Sequence, residues 1–243
     1  GAETCQNKAN GNWYTHPAFT LGDTELKGIW VGKFKTTGNA TTPTIKPDIA
    51  FLKDITIATM YSTGQLFRTT NYLTTNGINQ TDSHMMKNIE WGAIAYLKQS
   101  NYGLGLTDIS INSKGSSYKN NVAQSITGNI TGIYDTAKGP WEYVMGNYAK
   151  QTGKSGLTVS TVSTQYIDIY NGTSVSASHL GDATGETAGW YNDFVNFVGS
   201  WSWFSRSGNY LEGGLGRGVF SFNSGEGNAN SNYSFRVALS VKE

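Results

Sequence analysis

Apolar positions in this 243-residue chain fall in short bursts separated by polar, glycine-rich text. The burst GIWVGKFKTT at 28–37 carries Ile29, Trp30, Val31 and Phe34 and predicts a buried strand. Gly38, Thr41, Thr42, Pro43 and Pro47 then supply loop chemistry over 38–48. A helical period appears in DSHMMKNIEWGAIAYLKQS, where Ile89, Ala93, Tyr96 and Leu97 fall at i, i+4, i+7 and i+8. That spacing predicts a helix over 82–100, capped by Asp82 or Ser83 and ended by Asn101 and Gly103. A second helix is predicted over about 56–72 around Met60, Phe67 and Tyr72, with Gly64 weakening it.

Beyond residue 103 the text becomes Gly, Ser, Asn and Thr punctuated by short aromatic strings. QYIDIY at 165–170 alternates Tyr166, Asp168 and Tyr170 against Ile167 and Ile169, the period of a strand. GRGVFSF at 216–222 and YSFRVALSV at 233–241 also read as strands. The expected class is α+β, with helices in the first half and then short strands held by long ordered loops. No period repeats and no linker composition interrupts the chain, so one domain is expected. Loops this long inside a domain usually carry function.

Composition narrows the function classes. Charged residues make up 14% of the chain and the formal net charge is +1, so no basic patch points to nucleic acid. No apolar run is long enough to insert in a bilayer, and none reads as a signal peptide. Aromatics at 13% and 30 glycines suit an extracellular, loop-rich protein better than a cytosolic helical enzyme. Cys5 is the single cysteine, which excludes an intrachain disulfide and a cysteine-based metal site.

One stretch raises a specific question. ITGIYDTAKGPWEYVMGNY at 130–148 sets Glu142 between Trp141 and Tyr143. A carboxylate buried there needs a partner, because an unpaired buried charge is very costly.

Five segments in order carry a resemblance. GIWVGKFKTT at 28 looks like a "VGKYEVT" strand, and NIEWGAIAYLKQ at 88 looks like a "VSWEDAxAYxxW" helix. GIYDTAKGPWEYV resembles "G-(L/V)-Y-D-M-x-G-N-V-W-E-W". WFSRSGNY at 203 looks like "xxRGGSW", and YSFRVAL at 233 looks like "xGFRVA". These are segments of the formylglycine-generating-enzyme family, a version of the C-type lectin fold. The similarity runs from about residue 26 to 241, so residues 1–25 are expected to pack on or lead into a C-type-lectin-like domain at 26–243. The wording RSGNYLEGG, GVFSFN and NANSNYSFRVALS also resembles variable proteins diversified by retroelements. THPAFTLGD, HMMKNIEWGAIAYL and GDATGETAGWYND resemble surface or phage-encoded proteins of gut bacteria. The resemblance implies that the Trp141–Tyr143 segment is core and that Glu142 forms structural ion pairs with Arg206 and Arg236.

Catalytic signatures are missing. The oxidases of that family hold copper with paired cysteines near the C-terminus, and this chain has none after Cys5. His16, His84 and His179 stand at no metal-ligand spacing and read as capping or surface residues, with His84 expected at a helix start as a neutral ring or hydrogen-bonded to the loop. There is no G-x-S-x-G elbow or phosphate loop, and GGLGRG at 213–218 reads as tight turns. Ca2+ at Asp182 and Glu186, or at WYND over 190–193 in the manner of sugar-binding C-type lectins, is the one cofactor left open; the "EPN" or "QPD" companion is absent. No enzyme activity, no resident cofactor and no metal site are therefore expected.

Residues 201–234 interleave framework types with Tyr, Trp, Asn and Ser, a composition like that of antibody binding loops. The expected ligand-binding residues are Trp203, Asn209, Tyr210, Leu211, Glu212, Asn223, Ser224, Asn230, Asn232 and Tyr233. The expected function is a non-catalytic extracellular adhesion or receptor-recognition protein on a bacterial surface or phage virion. Its C-terminal face, open to hypervariation, would meet a protein or glycan target. The alternatives are a structural subunit of a pilus or virion, and an oxidase-family enzyme with altered chemistry.

Overall fold

The computed structural model describes residues 15–69, 81–112, 121–209 and 218–241. Among these the protein is mixed α+β, mostly short strands with two helices. The strands are β1 (Thr20–Leu21), β2 (Thr24–Glu25), β3 (Trp30–Val31), β4 (Thr37–Gly38), β5 (Pro43–Thr44) and β6 (Thr81–Met85), then β7 (Trp141–Tyr148), β8 (Asp168–Tyr170), β9 (Trp203–Arg206), β10 (Phe222–Gly225), β11 (Tyr233–Phe235) and β12 (Val237–Val241). The helices are α1 (Ile57–Gly64) and α2 (Asn88–Gln99). No helix among the described residues is long and apolar enough to cross a membrane.

Strand β7, WEYVMGNY, is the axis of a five-stranded sheet and is buried along nearly its whole length. β9 pairs antiparallel along it, and β10 lies outside β9. β11 runs parallel to the first half of β7, and β8 runs parallel to its last three residues. Tyr143 and Met145 point into one apolar cluster with Ile57, Met60, Trp203 and Phe235. Val144 joins a second cluster with Trp91, Phe204, Phe220 and Phe222. Both faces of the sheet are therefore covered, which is why β7 is buried at consecutive rather than alternate positions, Glu142 and Asn147 included.

The second sheet is β3-β12-β6, antiparallel throughout. The closing run 233–241 is not one strand. Arg236 alone separates β11 in the first sheet from β12 in the second, and its backbone carbonyl accepts from Met86 N. β1–β2 and β4–β5 are small hairpins.

The predicted helix over 82–100 starts at residue 88. Its first residues are instead β6, with Ser83, His84 and Met85 buried against β12. The buried stripe also differs: Trp91, Ile94, Ala95 and Lys98 face the core at i, i+3, i+4 and i+7, while Leu97 is exposed. α2 lies so close to the 181–182 backbone that a Cβ on Gly92 would collide with Gly181 O. Lys87, at the N-cap position, has no acceptor to offer the first turn. Asp168 supplies one from β8, its Oδ2 accepting from Ile89 N at 2.8 Å, while Glu90 accepts from Lys87 N at 2.8 Å. The predicted helix near 56–72 is α1 followed by a 3-10 turn at Gln65–Thr69, with the Thr56 hydroxyl capping its start.

The strand predicted over 28–37 is also shorter. Phe34 is buried, but Trp30 is 72% exposed on the two-residue edge strand β3. QYIDIY is a strand only over 168–170, after a 3-10 turn at Thr164–Tyr166. His16 packs on α2, meeting Tyr96 edge to face at 5.8 Å, and hydrogen-bonds Gly181 O at 2.9 Å.

Candidate binding face

Glu142 has no exposed surface and sits in a knot of basic side chains. Arg236 Nη2 donates to Glu142 Oε1 at 2.9 Å and Arg236 Nε donates to Oε2 at 3.1 Å, a two-pronged contact. Lys35 Nζ lies 3.1 Å from Glu142 Oε1. Lys35 also donates to the carbonyls of Asp135 at 2.7 Å and Pro140 at 3.0 Å. Burial lowers the Lys35 pKa against the pull of Glu142. Arg236 donates further to Gly32 O and to Tyr134 O, so the knot ties together three stretches of chain, at 32–35, 134–142 and 236.

Arg206 does not join this knot, contrary to expectation, although it stands opposite Glu142 in the β7–β9 ladder. Its guanidinium turns to Asn88 Oδ1 at 3.1 Å and to the carbonyls of Asp182 and Ala183, with Trp91 and Phe222 flanking it. Burial lowers its pKa to about 10.

The ten residues expected on one outward face are not brought together. Trp203 is 0% exposed and Asn209 is 3% exposed. Trp203 is core because β9 lies between β7 and β10 with apolar clusters on both sides, and its indole N–H is consumed by Thr152 O at 3.1 Å. Ser224 is buried beside it on β10. Asn223 is half-buried on the same strand. Asn230, Asn232 and Tyr233 are half-buried at the opposite edge, where Asn230 Oδ1 accepts from Asn232 N and Tyr233 stacks on Tyr143 at 4.2 Å. Three strand spacings, about 14 Å, separate β10 from β11. Tyr210, Leu211 and Glu212 lie outside the described residues.

The sequence reading passed over the segment that covers β10. Residues 194–196 run parallel to it: Phe222 N donates to Phe194 O at 2.9 Å and Asn196 N donates to Phe222 O at 3.0 Å. Asn196 Nδ2 donates to Asn223 Oδ1 at 2.7 Å and to Ser224 Oγ at 3.0 Å. Phe194 remains 46% exposed and Val195 37% exposed, with Phe194 edge-on to the buried Trp141. Asp193 anchors the segment by accepting from Gly218 N and Phe220 N. Burial raises the Asp193 carboxyl pKa to about 6. A Cβ on Gly218 would strike that carboxylate at 2.7 Å, which accounts for one glycine of the GGLGRG run.

The remaining chemistry-bearing groups serve as internal ties. His84 is buried within β6 rather than at a helix start, with Nδ1 2.7 Å from Asp82 Oδ2 and Nε2 2.9 Å from Glu90 Oε1. Burial opposes its charge, but Glu90 and Asp82 outweigh burial and raise its pKa to about 9. His16 accepts from Ala18 N through Nδ1 and faces Gly181 O through Nε2; His179 stacks on Tyr170 at 4.2 Å. The Asp182 carboxylate takes four donors, from Tyr170 OH, His179 N, Thr184 N and Thr184 Oγ1, while Glu186 is exposed. Tyr191 of WYND stacks on Phe220. Among the described residues no group of three or more His, Cys, Asp or Glu is placed to hold a metal ion.

No protein-family model matches the chain, and a search of curated proteins finds no match.

Proposed function

We propose that this chain is a non-catalytic extracellular binding domain on a C-type-lectin-like scaffold of the formylglycine-generating-enzyme type. It recognises a protein or glycan target from a bacterial surface or a phage virion, and it makes and breaks no bond in that target. One observation carries the reading. The outer edge of the five-stranded sheet presents Phe194, Val195, Asn196 and Asn223 to solvent. An aromatic anchor beside paired amides is the mixture that suits recognition by contact. The order of the five signature segments and the likeness to retroelement-diversified proteins support the scaffold and the role. Arg236, Lys35, Asp182 and Asp193 are engaged inside the protein, which suits a rigid frame more than a reaction centre.

The test is saturable binding of the full chain to glycan arrays and to intact bacterial cells. The double variant Phe194→Ser, Asn223→Ala is expected to lose binding at least tenfold while keeping its fold. Unchanged binding in that variant would remove the edge as the binding face. Sequencing the neighbouring DNA tests diversification: a reverse transcriptase gene with a near-copy of the C-terminal segment supports it, and its absence leaves an invariant binder.

A further inference from the structure

We propose that the cleft between α2, the β1–β2 hairpin and the 164–168 segment is a separate binding site for a small zwitterion of the α-amino-acid class. This site does not depend on the edge described above. The cleft has a volume of about 280 Å³, and Lys87, Asp168, Gln165 and Thr20 line it, with Ile89 and Pro17 as apolar walls. That size lies just below the range of drug-sized pockets and suits a molecule of a few heavy atoms.

Two opposite charges line this cleft without closing on each other. Lys87 is only 5% exposed, yet its ammonium has no hydrogen bond or ion pair among the described residues. The nearby Glu90 carboxylate is already taken up by His84 and by Lys87's own backbone N–H. Asp168 gives one oxygen, Oδ2, to Ile89 N and has no protein donor on the other. Burial pushes the Asp168 carboxyl above its usual range, and Lys87 only partly offsets this.

A simple anion at Lys87 would face the Asp168 carboxylate, and a simple cation at Asp168 would face the Lys87 ammonium. A ligand whose ammonium and carboxylate are attached to one carbon meets both at once, each charge facing its opposite in the cleft. The ligand carboxylate would sit at Lys87 and the ligand ammonium at the open Asp168 oxygen. Gln165 and Thr20 are there for a polar side chain, and the exposed Asp23 stands at the mouth.

Isothermal titration calorimetry of the full chain tests this with L-serine, L-arginine and L-glutamate, and with glucuronate and inorganic phosphate as comparison arms. At least one amino acid is expected to bind and to raise the Tm. Its N-acetyl and carboxamide derivatives, which each lack one charge, are expected to bind at least tenfold more weakly. Lys87→Met and Asp168→Asn should each weaken binding at least tenfold, and the Asn side chain keeps an acceptor for Ile89 N. If either variant fails to fold, the two derivatives report the same two charges on the wild-type chain. No binding of any of the three amino acids at millimolar concentration would overturn the proposal. So would binding of glucuronate or phosphate alone, or equal binding of the charge-blocked derivatives.

Discussion

The centre of the main sheet and its outer edge use polar groups in opposite ways. At the centre, Glu142 is enclosed by Arg236 and Lys35, and each cation is also bonded to backbone carbonyls of other segments. At the edge, Asn196 and Asn223 pair with each other in the open, beside an exposed Phe194 and Val195. The central groups cannot be changed singly, because each holds the others' charge in a dry place. The edge groups can be changed freely, because water replaces whatever is lost. A protein that keeps one frame while presenting a replaceable surface needs this division. The following variants should separate the two regions, or fail to.

The largest effect is expected at Glu142. Glu142→Ala leaves Arg236 and Lys35 as facing buried cations, and removing one partner of a buried pair costs about 3–5 kcal/mol. Urea denaturation should show that loss or no folded protein at all. A loss below about 1 kcal/mol would mean that water reaches the knot.

Trp203→Ala follows closely. Cutting a fully buried Trp from the cluster around Tyr143, Met145 and Phe235 is expected to cost about 3–5 kcal/mol. The same measurement on an exposed face residue would give a few tenths, so the value distinguishes core from surface directly.

His84 supplies a third, pH-dependent break. Its folded pKa of about 9 stands above the ordinary 6.5, so its contribution is fully present below pH 6.5 and is lost as pH rises through 9. That displacement corresponds to roughly 3 kcal/mol as an upper figure. Asp82 and Glu90 have lowered pKa values, so their share is present above the ordinary carboxylate range and is lost on acidification. Asp135 and Asp193, raised to about 6 by burial, lose most of their remaining protons by about pH 7 and add a shallow slope only at the lower end of this window. Between pH 6.5 and 9 the native chain should therefore lose more stability than His84→Gln does, since the shifted Lys35, His16, Asp135 and Asp193 contribute alike to both. Parallel slopes in the two proteins would show that His84 is neutral in the fold.

How much of this was legible depends on how local each cause is. Glu142 between two aromatics called for a cation, and Arg236 was a fair candidate because it lies in another of the segments that carry the resemblance. Lys35 was not legible, since its arrival depends on how the chain between β3 and β4 crosses the 135–140 turn. Arg206 failed as a partner because ladder position does not fix where a long side chain ends. β6 was hidden inside a helical reading because its polar residues, Asp82, Ser83 and His84, are buried by partners in β12, α2 and the 166 turn. Trp203 looked like a surface aromatic because neither cluster that covers β9 is local to it. The 194–196 edge was missed for the same reason: its partner, β10, lies beyond the next strand in sequence.

The smallest effect on stability is expected at that edge, and it is the one that decides between frame and face. Asn223→Ala should shift stability by no more than about 0.5 kcal/mol, the usual range for surface changes, and Phe194→Ser by about 1 kcal/mol through its edge contact with Trp141. Asn223→Ala also releases Asn196, whose amide still reaches Ser224 Oγ, so the 194–196 segment should stay paired through its backbone to Phe222. Hydrogen exchange at Asn196 N and Phe222 N checks that pairing directly. If protection there is retained and target binding is lost, the edge is a face laid on an independent frame. If protection collapses together with stability, the edge is itself part of the frame, and the contrast with the Glu142 knot fails.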